Sequence, residues 1–133
     1  MVIDTSAIFA AIAGEADSSD YRLAIKSAPI RLVSAITLLE TRIVLFSRIG
    51  GGAIETLDEL LKRAQFSVVP FDDEQIAIAF DAFKRYGKGQ GHPAQLNIVD
   101  CAAYALARSR DLPLLFKGND FVHTDVKRAL SQS

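Results

Sequence analysis

The chain opens Met1-Val-Ile-Asp4-Thr-Ser-Ala-Ile-Phe-Ala-Ala-Ile-Ala13, and this stretch decides the fold. Val2-Ile3-Asp4 reads as a very short apolar strand closed by an acid. Thr5 or Ser6 can cap a helix over Ala7–Ala13, and Gly14 closes it. Strand and helix follow each other with no hairpin turn between them. That is the grammar of a parallel sheet, whose strands are joined by helical crossovers.

The same grammar repeats outward along the chain. Asp17, Ser18 and Ser19 offer caps for a second helix ending near Ala28, before Pro29 breaks it. Ile30–Val33 reads as a strand, and a long helix follows to Ile49 with Ser34 or Thr37 as its cap. Thr37-x-x-Glu40 matches the capping-box pattern. Gly50-Gly51-Gly52 ends that helix, and Ala53–Ala64 is amphipathic with Asp58→Lys62 and Glu59→Arg63 as i,i+4 pairs. Phe66–Val69 is a strand stopped by Pro70, and Asp72 or Asp73 caps a helix through Tyr86. A polar loop, Gly87–Gln95, leads to a helix from Asn97 to Arg110. Pro113–Phe116 is a strand, Lys117–Asp120 a turn, and a terminal helix is expected after it. The expectation is an α/β fold: a short parallel sheet of four to five strands with helices on both faces.

At 133 residues the chain is expected to form a single domain, 1–133, large enough to fold without a disulfide or structural zinc. One cysteine, Cys101, and two separated histidines make a Cys/His metal site unsuited to this chain. A reducing, cytoplasmic setting fits. Fifteen Lys+Arg against sixteen Asp+Glu exclude a strongly basic nucleic-acid module, so any such binder would need a local basic patch or a bound cation. No apolar run approaches the roughly 18–20 residues of a membrane span, and Asp4 stands where a signal peptide carries basic residues.

Most acids have a structural explanation: Glu55, Asp58 and Glu59 on a solvated face, Asp72, Asp73 and Glu74 at a helix start, Asp81 near Lys84 and Arg85. Four others are harder to dismiss. Asp4 and Asp120 each follow the carboxyl end of an apolar strand, where ligands bind in open α/β sheets. Glu40 has Ile36, Ile43 and Val44 as its helical neighbours, a costly setting for an unpaired carboxylate. Asp100 is the only acid between Leu96 and Ala107 and lies in a helix's first turn. Each also has a structural reading: an N-cap for Asp4, the capping box with Thr37 for Glu40, the helix dipole for Asp100, a turn or cap for Asp120. Carboxylates about 4 Å apart repel by about 4 kcal/mol at an effective dielectric near 20, so a convergent cluster needs a cation. All-oxygen ligands select Mg²⁺ or Mn²⁺, which can position water and neutralise a phosphodiester's developing charge.

Four stretches in order carry a resemblance: Met-Val-Ile-Asp4-Thr-Ser-Ala, the helical Glu40, Leu96-Asn-Ile-Val-Asp100-Cys-Ala-Ala-Tyr-Ala-Leu-Ala, and Leu114-Leu-Phe-Lys-Gly-Asn-Asp120-Phe. Over essentially its whole length the chain resembles PIN-domain ribonucleases, and more narrowly the VapC toxins of bacterial VapBC toxin–antitoxin modules. The resemblance implies a metal-dependent endoribonuclease acting on tRNA or rRNA. It implies Asp4 and Asp100 as the main Mg²⁺ (or Mn²⁺) ligands, Glu40 as a ligand or orienter of the attacking water, and Asp120 completing the pocket. Ser6 would stand near metal or phosphate. One departure is Asn119, where related chains often carry the first of two acids.

The resemblance further implies a VapB-type antitoxin as partner, and a homodimer, with Ala7–Ala13 and Ala35–Ile49 apolar enough to supply surfaces. Arg42, Arg48, Lys84, Arg85, Lys88 and Lys117 are candidates to guide an RNA backbone. A catalytically idle PIN module that only binds protein is the alternative, with Asn119 as its support. A phosphatase or phospho-acceptor with a reactive Asp4 is a third reading, and the absence of a second aspartate two residues after Asp4 speaks against it.

Overall fold

In a computed structural model, which describes residues 1–130, four strands form one all-parallel sheet in the order β3-β2-β1-β4. The elements run β1 (Val2–Ile3), α1 (Thr5–Ile12), α2 (Ser18–Ser27), β2 (Leu32–Ser34), α3 (Ala35–Arg48), α4 (Gly51–Arg63), β3 (Ser67–Val69), α5 (Asp73–Tyr86), α6 (Ile98–Arg110) and β4 (Leu114–Leu115). The strand alternation sorts side chains onto two faces. Val2 and Leu114 pack with α5 and α6, while Ile3, Val33 and Leu115 pack with α1, α2 and α4. Helices cover both faces, as the pattern of short apolar strands requires.

From β1 the chain moves outward to β2 and β3, then returns to lay β4 on the other side of β1. The topological switch point therefore lies between β1 and β4, with Asp4 just past the end of one and Lys117–Asp120 past the end of the other. The Asp4 N–H donates to the Leu115 carbonyl at 3.0 Å and ties the two ends together.

Several local expectations change. Asp4 itself, not Thr5 or Ser6, is the N-cap of α1. The Thr37–Glu40 capping box does not form: α3 begins at Ala35, so Thr37 lies inside the helix, and its Oγ1 has no hydrogen-bond partner. Gly50, at φ 113°, makes the turn alone, and Gly51 and Gly52 already belong to α4. The terminal helix is absent from residues 121–130, and the rest of that expectation falls on residues 131–133, outside the described ones. The tail instead lines the outer edge of β4: Leu114 N–H donates to the Lys127 carbonyl, and Ala129 N–H to the Leu114 carbonyl. Buried Phe121 and Val126 anchor it beside α6, and the exposed sheet edge is thereby blocked.

Helix α3 inverts the usual burial. Thr37 and Thr41 are 0% exposed, while Leu39, Ile43 and Phe46 are 60%, 56% and 65% exposed. A seam of hydroxyls explains it. Thr41 donates its one hydroxyl proton to the Thr37 carbonyl at 2.8 Å, and its oxygen accepts from Thr5 Oγ1–H at 3.1 Å. These bonds hold the threonine face against α1 and turn the apolar face outward.

Candidate active site

Asp4, Glu40, Asp100 and Asp120 all line one pocket of ≈ 360 Å³, and Ser6 lines it with them. Asn119 is not among the lining residues; its carbonyl accepts a turn bond from Val122 N–H. Each acid is delivered by a different element. β1 ends in Asp4, α3 presents Glu40, α6 presents Asp100 from its first turn, and the turn after β4 carries Asp120.

The two buried acids are held by helix starts. Asp4 Oδ2 accepts from Ser6 N–H at 3.1 Å and from Ser6 Oγ–H at 2.6 Å. Ser6 Oγ in turn accepts from Lys117 N–H at 3.0 Å, so one hydroxyl locks Asp4 to the end of β4. Asp100 Oδ2 accepts from Asn97 N–H at 3.0 Å, and Asn97 Oδ1 accepts from Asp100 N–H at 2.8 Å, a full capping box. The cap and first-turn readings of Asp4 and Asp100 are thus correct as geometry. They do not compete with a place in the pocket, because each bond that the Asp4 and Asp100 carboxylates accept here is made at Oδ2.

Burial pushes Asp4 up to about 6 against the two Ser6 bonds, and the charges of Glu40 and Asp120 push it the same way. Burial pushes Asp100 up to about 7, opposed by the Asn97 bond and reinforced by Asp4, Asp120 and Glu40. The four carboxylates therefore sense one another across the pocket. Among the described residues no three His, Cys, Asp or Glu side chains stand close enough to form a ready metal cage. The donor set is all carboxylate, amide and hydroxyl oxygen, which suits Mg²⁺ or Mn²⁺.

Of the basic candidates, most are engaged elsewhere. Arg42 pairs with Asp58 at 2.9 Å, Arg85 meets Asp125 at 3.5 Å, and Lys84 lies over the Phe80 ring. Lys117 lines the pocket but is clamped by Glu15 at 2.8 Å and Asp17 at 2.9 Å. Lys88 is not among the lining residues, whereas Arg48 is. Sequence reasoning missed Phe9, Glu15 and Asn97 as pocket residues. The spacing Asn97-x-x-Asp100 was a readable capping-box signal, but nothing in the sequence joins Glu15 to Lys117.

A PIN-domain family model matches residues 1–127. The chain belongs to the PIN-domain family. Among PIN proteins it is similar to Ribonuclease VapC28 of Mycobacterium tuberculosis, 46% identical over 132 residues that cover 99% of both chains. Ribonuclease VapC of Mycolicibacterium smegmatis is 45% identical over 126 residues, covering 95% of this chain and 97% of the relative. These identities place the chain in the VapC branch of the PIN family. Two solved structures share the fold at 22% identity. One is M. tuberculosis VapC20, described as a sarcin–ricin loop cleaving toxin, with a TM-score of 0.75 over 94% of this chain and 95% of that one. The other is FitAcB of Neisseria gonorrhoeae, with a TM-score of 0.70 over 96% of this chain and 94% of that one. The expected PIN-like architecture is the one observed, with four strands.

Proposed function

We propose that this chain is a toxin-type endoribonuclease of the VapC kind, hydrolysing RNA phosphodiester bonds at the acidic pocket with Mg²⁺, or Mn²⁺ in its place. One observation carries the reading. Four carboxylates from distant parts of the chain line a single pocket at the carboxyl edge of a parallel sheet, at its switch point. That this occurs in a chain 46% identical end to end to a VapC ribonuclease supports it.

Asp4 and Asp100 would hold the ion. When bound, the ion would offset the phosphodiester's developing charge and acidify water. The remaining roles belong to the chain. Ser6 and Asn97 fix the orientation of the two ligand carboxylates. Glu40 orients the attacking water, and Asp120 completes the acidic wall. The N-termini of α1 and α6 open on the pocket and favour an anionic phosphate beside it.

The substrate class in this reading is structured RNA, tRNA or rRNA; the related fold described as cleaving a sarcin–ricin loop supports the latter. A VapB-type antitoxin is the partner, and the exposed stripe Leu39–Ile43–Phe46 supports a protein surface there. Residues 1–133 act as one domain in the cytoplasm, as a homodimer. No helix among the described residues is long and apolar enough to cross a membrane. The idle-module alternative rested on Asn119, which does not line the pocket.

The test is sequencing of RNA 5′ ends after induction of the wild-type chain and of Asp4→Ala. New, discrete ends with the wild type that vanish with Asp4→Ala are expected. Ends shared by both, or none with the wild type, would overturn the proposal.

A further inference from the structure

The pocket presents an electrostatic problem to the substrate assigned to it. Five carboxylates line it: Asp4, Glu15, Glu40, Asp100 and Asp120. Only two cations line it, and one of them, Lys117, is consumed by Glu15 and Asp17. A bound divalent ion removes only part of this charge. A phosphodiester chain entering such a mouth needs a further fixed cation that no protein anion has neutralised.

Arg48 is that cation. It stands at the last turn of α3, two helical turns beyond Glu40, and lines the same pocket. Among the described residues its side chain makes no ion pair. Its guanidinium instead rests 5.4 Å from the centroid of the Phe9 ring, which is also a pocket wall. A ring face orders the arginine without using up its N–H donors, so they stay available for a bidentate contact to phosphate oxygens. Arg42, six residues earlier on α3, shows the contrast: its guanidinium is paired with Asp58.

We propose that Arg48, held over Phe9, is the phosphate-anchoring residue of the pocket. It binds an RNA phosphate flanking the one to be cleaved and so sets the register of the strand across the acids. This rests on the endoribonuclease reading above and adds to it the residue that admits and positions the substrate. Arg48 acts on binding; it takes no part in the bond cleavage.

The test uses Mg²⁺-supported cleavage of total cellular RNA by the full chain across a series of NaCl concentrations, comparing wild type, Arg48→Gln, Arg48→Lys and Arg42→Gln. For Arg48→Gln, kcat/KM falls about tenfold while kcat stays within about twofold, since a hydrogen bond to a charged group is worth about one such factor. The slope of log(kcat/KM) against log[salt] becomes shallower by about 0.7, the loss of one single-strand phosphate contact. Arg48→Lys recovers the salt slope but only part of kcat/KM, because an ammonium cannot contact phosphate bidentately. Arg42→Gln matches the wild type. Unchanged kcat/KM and salt slope in Arg48→Gln would overturn the proposal, and so would a loss confined to kcat. An Arg48→Gln protein that cleaves normally but escapes inhibition by its antitoxin would assign the arginine to a protein contact and overturn it equally. A wild type that cleaves nothing would overturn the endoribonuclease reading itself, a distinguishable failure.

Discussion

Replacing Asp100 with asparagine separates the work of its charge from the work of its shape. Burial pushes the carboxyl up to about 7 in the fold from 3.8 ordinarily. At about 1.36 kcal/mol for each tenfold change in proton affinity, the ionised side chain opposes folding by up to about 4 kcal/mol. A carboxyl with a raised folded value contributes its full stability below its unfolded value and loses it as pH rises toward 7. Without metal the wild type therefore weakens between about pH 4 and 7 on account of this residue. Asparagine keeps an oxygen for the Asn97 N–H and carries no charge to desolvate. Allowing half of the ceiling for coupling to Asp4 and for the weaker neutral hydrogen bond, Asp100→Asn is more stable than wild type by about 2 kcal/mol at pH 8. In Tm that is about 6–10 °C for a chain of this size. Urea unfolding in EDTA from pH 4.5 to 8 measures it, and the gap between the two proteins should narrow steadily as pH falls. In Mg²⁺ the order reverses in function: the variant does not cleave RNA. A variant less stable than wild type at pH 8 would refute the electrostatic argument and make the Asn97–Asp100 capping box the dominant contribution. Cleavage at the wild-type rate would remove Asp100 from the site.

Other perturbations have distinct expected outcomes. Ser6→Ala removes the hydroxyl that lowers the Asp4 value, so the acid limb of the cleavage profile moves to higher pH and kcat/KM near pH 7 falls about tenfold; a profile that keeps its acid limb would show that Ser6 does not govern Asp4. Mg²⁺ at about 100 times its Kd raises wild-type stability by about 2.7 kcal/mol and leaves Asp100→Asn nearly unmoved, read by thermal melts with and without EDTA. Phe46→Ser, on the outward face of α3, changes stability by less than about 0.5 kcal/mol and preserves cleavage while weakening inhibition by the antitoxin, measured by titrating antitoxin into the cleavage assay. Leu106→Ala, in the fully buried stretch of α6, costs about 2–5 kcal/mol by urea unfolding.

The parts of this fold that a sequence exposes are those decided locally. Val2-Ile3 and Leu114-Leu115 are short, wholly apolar and flanked by caps or turns, so strand and helix could be assigned and the parallel arrangement followed. The parts that stayed hidden depend on partners far along the chain. The segment after Asp120 carries helix-compatible residues, yet its backbone donors and acceptors are taken by the edge of β4 and its Phe121 by the core beside α6, contacts no local pattern encodes. Helix α3 shows the same limit. Its threonines would ordinarily face solvent, and only the pairing of Thr41 with Thr5 on α1 explains why they are buried.

The same distinction runs through the site. Asp4 and Asp120 were legible because each follows a strand end, and Asp100 because it stands alone among small and apolar residues. Glu40 lines the pocket, and the competing capping box at Thr37 does not form because α3 starts at Ala35. What the sequence left undecided was whether a cap is an alternative to a functional acid. The geometry shows that capping a helix and lining the pocket are compatible for Asp4 and Asp100. A carboxylate at a helix start has one oxygen engaged by hydrogen bonds, which fixes its direction and leaves the second oxygen outside those bonds. Capping is therefore the means by which Asp4 and Asp100 are held ionisable yet oriented inside a buried site, at the stability cost that the raised values of both acids record.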